Sequence, residues 1–189
     1  MVCNGFKNEM LIKKLIVGML QTNCYILAGD ERGIIIDPGD EVDRILEEVG
    51  DLKVDLILLT HNHFDHVGAL SATVRATSAP VAIHPLDNID AANKDLKDGE
   101  KIPFDDKEIL VMHTPGHTQG GCCFLLEGIL FSGDTLFPGG WGNTAFPGGS
   151  ERDIFRSIRE KLMKLPDETI VYPGHGDSTT IGEERSLYF

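Results

Sequence analysis

Short apolar runs broken by turn residues dominate the first third of the chain. Residues 11–17, 23–28 and 33–37 read as three strands, with Gln21-Thr22 and Gly29-Asp30 as the turns between them. Asp37-Pro38-Gly39-Asp40 closes the third strand. Val42, Ile45, Leu46 and Val49 then fall at i, i+3, i+4 and i+7. This predicts an amphipathic helix over 41–49, with Asp40 as its N-cap, Asp43 three residues on, and Gly50 as its stop. The run 54–59 reads as a strand buried on both faces, extending to Thr60, and a helix is expected from His66 to about Ser78.

Beyond that helix, 80–84 reads as a strand with His84 at its end, and 87–101 as a polar loop with a helical turn. Residues 108–113, 122–126 and 129–132 supply three more strands. The stretch 138–149 is rich in glycine, has no periodicity, and is expected to be a long loop. Ser150 with Asp153 forms a second capping box. The helix it opens carries Phe155, Ile158, Leu162 and Leu165 on one face and stops at Pro166. A last strand is expected over 169–172, and there is no internal repeat at solenoid periods.

With 189 residues the chain is read as one domain, 1–189. Its 41% hydrophobic and 25% charged residues are ordinary for a soluble globular protein. The net charge of −13 makes it a poor partner for nucleic acid or an anionic membrane. Residues 1–10 contain no apolar signal region, and no run approaches membrane-spanning length. The four cysteines, Cys3, Cys24, Cys122 and Cys123, form no CxxC pair. They read as small apolar residues in or near the core of a reduced, cytoplasmic protein.

The chemistry gathers where the strand 54–60 ends. His61, His63, Asp65 and His66 fall within six residues. His61 and His63 project to one side of an extended chain, so both can grip one metal ion. Asp65 and His66 arrive as the chain turns into a helix, and a second ion beside the first is the simplest use for them. Asp65 as a plain N-cap is the structural alternative. Packing does not account for the histidines, because crowded imidazoles repel when charged and cost desolvation when buried. Imidazole plus carboxylate suits zinc, and also iron or manganese.

Three later stretches repeat the arrangement of strand, sharp turn and metal-type residue. His117 follows Pro115-Gly116, Asp134 follows Ser132-Gly133, and His175 lies in Pro173-Gly174-His175-Gly176. Glycine beside each candidate lets the backbone approach a crowded centre. His113, still within its strand, reads as a packing residue, and His84 as a plain strand-end histidine.

His61-Asn62-His63-Phe64-Asp65-His66 is followed by Thr114-Pro115-Gly116-His117-Thr118, Gly133-Asp134-Thr135-Leu136-Phe137 and Pro173-Gly174-His175-Gly176. Together they resemble the metallo-β-lactamase superfamily. Within it the chain is most similar to the glyoxalase II and persulfide dioxygenase branch, especially its short single-domain members. The resemblance runs from about Leu15 to Arg185. It implies an α+β fold, a four-layer αβ/βα sandwich with the site at the edge between two sheets. Carried over position by position, it implies two divalent metal ions. His61, His63 and His117 would hold one, Asp65, His66 and His175 the other, and Asp134 would bridge them. The aspartate bridge and the Asp65-His66 pair speak against a true β-lactamase.

Such a pair of cations lowers the pKa of water towards about 7, giving a hydroxide that can attack a carbonyl carbon. Asp65 would orient that hydroxide and relay its proton. A thiolate leaves readily, so the expected activity is that of a small-molecule thioesterase of the hydroxyacylglutathione hydrolase type. The rival activity is a mononuclear-iron dioxygenase acting on persulfides through His61, His117 and Asp134. The glutathione-specific relatives carry a C-terminal helical domain, whereas this chain ends at Phe189. They also often read Gly-Arg-Thr-Asp in the loop after the aspartate, where this chain has Gly142-Asn143-Thr144-Ala145. Glutathione is therefore not assured as part of the substrate. Trp141 and Asn143 either contact substrate or belong to a packed glycine-rich loop.

Overall fold

A computed structural model describes residues 10–189; Cys3 lies outside the described residues. Two six-stranded mixed sheets face each other. The first runs β1-β2-β3-β4-β5-β6: Leu11–Val17, Thr22–Ala28, Arg32–Ile36, Lys53–Leu58, Val81–Ile83 and Lys94–Asp95. The second runs β12-β11-β10-β9-β8-β7: Thr179–Thr180, Ile170–Pro173, Ile129–Gly133, Cys122–Leu126, Lys107–His113 and Lys101–Phe104. β1 to β3 pair antiparallel, and β3 to β6 parallel. In the second sheet β10 and β11 are the parallel pair.

Alternation of side chains across the strands sorts the core into three layers. Tyr25, Ile34, Leu56 and Leu58 of the first sheet meet Ile109, Val111, Phe124 and Phe131 of the second. On the outer face of the first sheet, Ile26, Ile35 and Ile57 pack with Ile45 and Val49 of α1 (Val42–Val49) and Leu70 of α3 (Leu70–Thr77). On the outer face of the second, Leu130 and Val171 pack with Ile154 and Ile158 of α4 (Glu151–Glu160) and Ile181 of α5 (Ile181–Arg185). The result is the four-layer α+β sandwich. Cys122 enters the inter-sheet core and Cys123 the outer one, as adjacent strand residues must; with Cys24 both are free and buried. Among the described residues no helix is long and apolar enough to cross a membrane.

The helix expected from His66 to Ser78 is two helices, α2 (Phe64–Val67) and α3. The turn after β3 wedges between them. Ala69 N donates to Pro38 O at 3.1 Å, and a Cβ on Gly68 would meet Gly39 O at 2.4 Å. The capping box expected at Asp40 is absent. Glu41 stands at the N-cap in a left-handed conformation with no side-chain cap, while Asp40 Oδ1 accepts from Glu41 N. Ser150 does cap α4, accepting from Asp153 N. That helix ends at Glu160, and Leu162–Lys164 continues as a 3-10 turn. Three short strands and one helix were not foreseen: β6, β7, β12 and α5.

Candidate metal centre

Every candidate residue lies where a strand ends. His61 and His63 follow β4, and Asp65 and His66 sit in the first turns of α2. His117 follows β8, Asp134 follows β10, and His175 follows β11. These are the carboxyl ends of parallel strands wherever the pairing is parallel, the usual seat of chemistry in such sheets. Cross-links between the sheets fix the ends together: Cys122 N donates to Thr60 O at 2.8 Å and Asn23 N to Gly174 O at 2.7 Å.

The structure gathers all seven residues into one cluster. Ligand-type atoms of His61, His63 and His117 lie within 4.8 Å of one another, as do those of Asp65, His66 and His175. Asp134 stands between the groups. Its Oδ2 is 3.4 Å from His117 Nε2 and 3.7 Å from His175 Nε2, and its Oδ1 is 3.3 Å from His66 Nε2. Asp65 Oδ2 is 3.2 Å from His175 Nε2.

The outer hydrogen bonds of the rings decide which nitrogen faces inward. His66 Nδ1 donates to Asp37 Oδ2 at 2.8 Å, His117 Nδ1 to Asn143 O at 2.7 Å, and His175 Nδ1 to Leu20 O at 3.1 Å. Thr60 Oγ1 gives its proton to Asp37 Oδ2, so at 3.0 Å from His61 Nδ1 it must accept. Four rings thus have Nδ1–H tied outward and Nε2 turned toward the cluster, the arrangement that orients metal-ligating histidines. His63 presents Nδ1 instead, 2.8 Å from His117 Nε2. His61 Nε2, His66 Nε2 and Asp134 Oδ1 are buried without a hydrogen-bond partner of good geometry. Buried polar atoms are rarely left so. Five imidazoles, two carboxylates and three orphaned inward-facing atoms fit a site for metal ions.

The electrostatics favour neutral rings at His61 and His63 and a protonated ring at His66 while no cation is bound. Burial and the neighbouring His66 push the pKa of His61 well below its ordinary value, and burial lowers His63. Burial opposes a charge on His66, yet Asp37 and Asp134 hold its pKa up at about 10. Burial likewise opposes charge on Asp65, but His175, His66 and the Thr22 hydroxyl, which donates to Oδ2 at 2.9 Å, draw it down to about 2. Asp134 is held well below the usual carboxylate range against its burial, chiefly by His66.

Asp37 and Thr60 escaped the sequence reading. Asp37 looked like a turn residue closing β3. It is 1% exposed, takes a left-handed backbone (φ 52°), and accepts from Thr60 N, Thr60 Oγ1 and His66 Nδ1. Its one visible signal was an acidic residue ending a strand beside the histidine strand. His84 and His113 lie apart from the cluster and stack on each other, ring centroids 3.9 Å apart. Trp141 packs on Phe155 at 4.5 Å, whereas Asn143 lines the cleft and offers its carbonyl to His117.

A two-sheet α+β sandwich with a histidine–aspartate cluster on its inter-sheet edge defines a metal-centre class of protein. The chain belongs to the metallo-β-lactamase superfamily, whose family model matches residues 17–175. Hydroxyacylglutathione hydrolase GloC of Haemophilus influenzae is 35% identical over 202 residues, covering 93% of this chain and 95% of its own length. Among solved structures, ETHE1 from Myxococcus xanthus superposes with a TM-score of 0.87 at 33% identity, covering 95% of this chain and 83% of that one. BLEG-1, described as a B3 metallo-β-lactamase, gives 0.86 at 33% identity over 93% and 97%. TTHA1623, solved in a di-iron-bound form, gives 0.81 at 36% identity over 92% and 96%.

Proposed function

We propose that the protein is a metal-dependent thioester hydrolase. The observation that carries this reading is the pair of three-residue groups joined by Asp134, of which His63, Asp65, His117, Asp134 and His175 line an open cleft of about 870 Å³ and His61 and His66 lie buried behind them. His61, His63 and His117 would hold one divalent ion and Asp65, His66 and His175 the other, with Asp134 shared. Zinc is the first candidate, and iron or manganese suit the same donors. Two such ions would supply a hydroxide near neutral pH and an electrophile for a carbonyl oxygen. Asp65, held ionised, would accept a hydrogen bond from the attacking water. The Thr22 hydroxyl donates to its Oδ2 at 2.9 Å and so helps to hold the carboxylate in place. The expelled thiolate leaves without a proton from the protein, since thiols are already fairly acidic. The likeness to GloC supports a thioester over other acyl substrates.

The test uses protein purified without added metal. Metal content, thioester cleavage and persulfide-dependent oxygen uptake are measured on one sample. Two ions per chain, with cleavage that chelation abolishes and metal restores, is the expected result. One iron per chain with oxygen uptake and no cleavage would refute it in favour of a dioxygenase.

A further inference from the structure

From the walls of the cleft we infer that the favoured substrates are thioesters of an apolar acyl chain on an uncharged thiol, rather than anionic glutathione thioesters. The inference rests on the thioesterase reading and specifies its substrate class. Side chains from four separate segments build these walls: Leu20 from the β1–β2 turn, Phe64 from α2, Phe137 after β10, and Phe146 with Pro147 from the glycine-rich loop. Phe64 is 74% exposed, Leu20 53% and Phe146 50%. Grouped exposed apolar side chains of this kind mark a binding surface.

Two of the rings flank the two halves of the metal cluster. The Phe146 ring centre is 5.5 Å from that of His63 and 6.4 Å from that of His117, and Phe137 is 6.3 Å from His175. An acyl carbonyl seated over Asp134 therefore has an aromatic ring beside each group of histidines against which its chain can lie.

Charge points the same way. Among the described residues no Lys or Arg lines the cleft, while Asp177 does. Lys14 Nζ is tied to the backbone, donating to Gly176 O at 2.6 Å. Glutathione carries two carboxylates and one ammonium, so beyond the metal ions themselves it would meet Asp177 and a chain of net charge −13, with no Lys or Arg side chain among the lining residues to receive its carboxylates. A neutral thiol meets no such penalty, and each methylene placed against the rings contributes favourable burial.

The experiment compares metal-loaded protein on S-acyl-N-acetylcysteamine thioesters, from acetyl to octanoyl, with S-lactoylglutathione. We expect kcat/KM to rise about fourfold per buried methylene over the first several, and the octanoyl ester to exceed S-lactoylglutathione by at least tenfold. Phe146→Ala and Phe137→Ala should flatten the chain-length slope, read within each variant as the ratio of octanoyl to acetyl kcat/KM. Calorimetry with non-cleavable thioethers gives a second readout: a neutral S-octyl thioether should bind more tightly than S-octylglutathione. A flat or falling slope, or preference for the glutathione compounds in cleavage and binding, overturns the inference and leaves the thioesterase reading standing. Failure to cleave any thioester with both ions bound overturns that reading and this one with it.

Discussion

Asp37→Asn is the sharpest probe of how the cluster is held. The carboxylate accepts three hydrogen bonds, from Thr60 N at 2.8 Å, Thr60 Oγ1 at 2.6 Å and His66 Nδ1 at 2.8 Å, in a site 1% exposed. Asparagine matches the size and tolerates the left-handed backbone better than most residues. It cannot match the chemistry. If its oxygen takes the His66 and Thr60 hydroxyl side, its NH2 faces the Thr60 N–H; if flipped, it faces His66. One buried donor is stranded either way, at a cost of about 1–3 kcal/mol. For a chain of this length that lowers the Tm of the metal-free protein by about 2–12 °C. Loss of the partner that orients a metal-holding histidine weakens metal affinity roughly 10–100-fold. Thermal unfolding of metal-free protein and competition against a chelator read the two effects separately. Wild-type affinity and Tm in the variant would refute the claim that Asp37 orients His66.

Saturation with a divalent ion at about 100 times its Kd should stabilise the fold by about 2.7 kcal/mol, or about 5–11 °C in Tm; an unchanged Tm across zinc, iron and manganese would contradict a metal centre. Gly174→Ala places a Cβ 2.3 Å from Asp134 Oδ1 and 2.7 Å from His66 Cε1. It should cut activity at least tenfold and lower metal stoichiometry, and full retention of both would show that the two groups need not share Asp134. Burial and the stacked His113 lower the pKa of His84, so the unfolded chain protonates there first. Stability should therefore fall as pH drops through about 6.5, with the loss complete below the folded pKa. His84→Asn should lose less over that range in calorimetry of metal-saturated protein, and an equal loss would count against the assignment.

The sequence determined most of the strands and the membership of the cluster. Periods of two and 3.6 residues are set by which face a residue buries, so long runs such as 11–17, 122–126 and the stripe Val42, Ile45, Val49 could be read directly. His61, His63, Asp65 and His66 could be read because so many ligating side chains within six residues have few other uses, and His117, Asp134 and His175 because each stands beside a glycine at a strand end in a motif of the resembled family. Elements shorter than their periodicity could not be read. β6 and β12 are two residues each and exist because a neighbouring strand offers them hydrogen bonds, and Pro103 masks the alternation of Ile102 and Phe104 in β7. The break between α2 and α3 comes from a turn 30 residues earlier pressing on Gly68. Tertiary structure alone decided which nitrogen each ring turns inward, because that depends on Asp37, Thr60, Asn143 and Leu20, residues whose own local sequence gives no reason to bind a histidine.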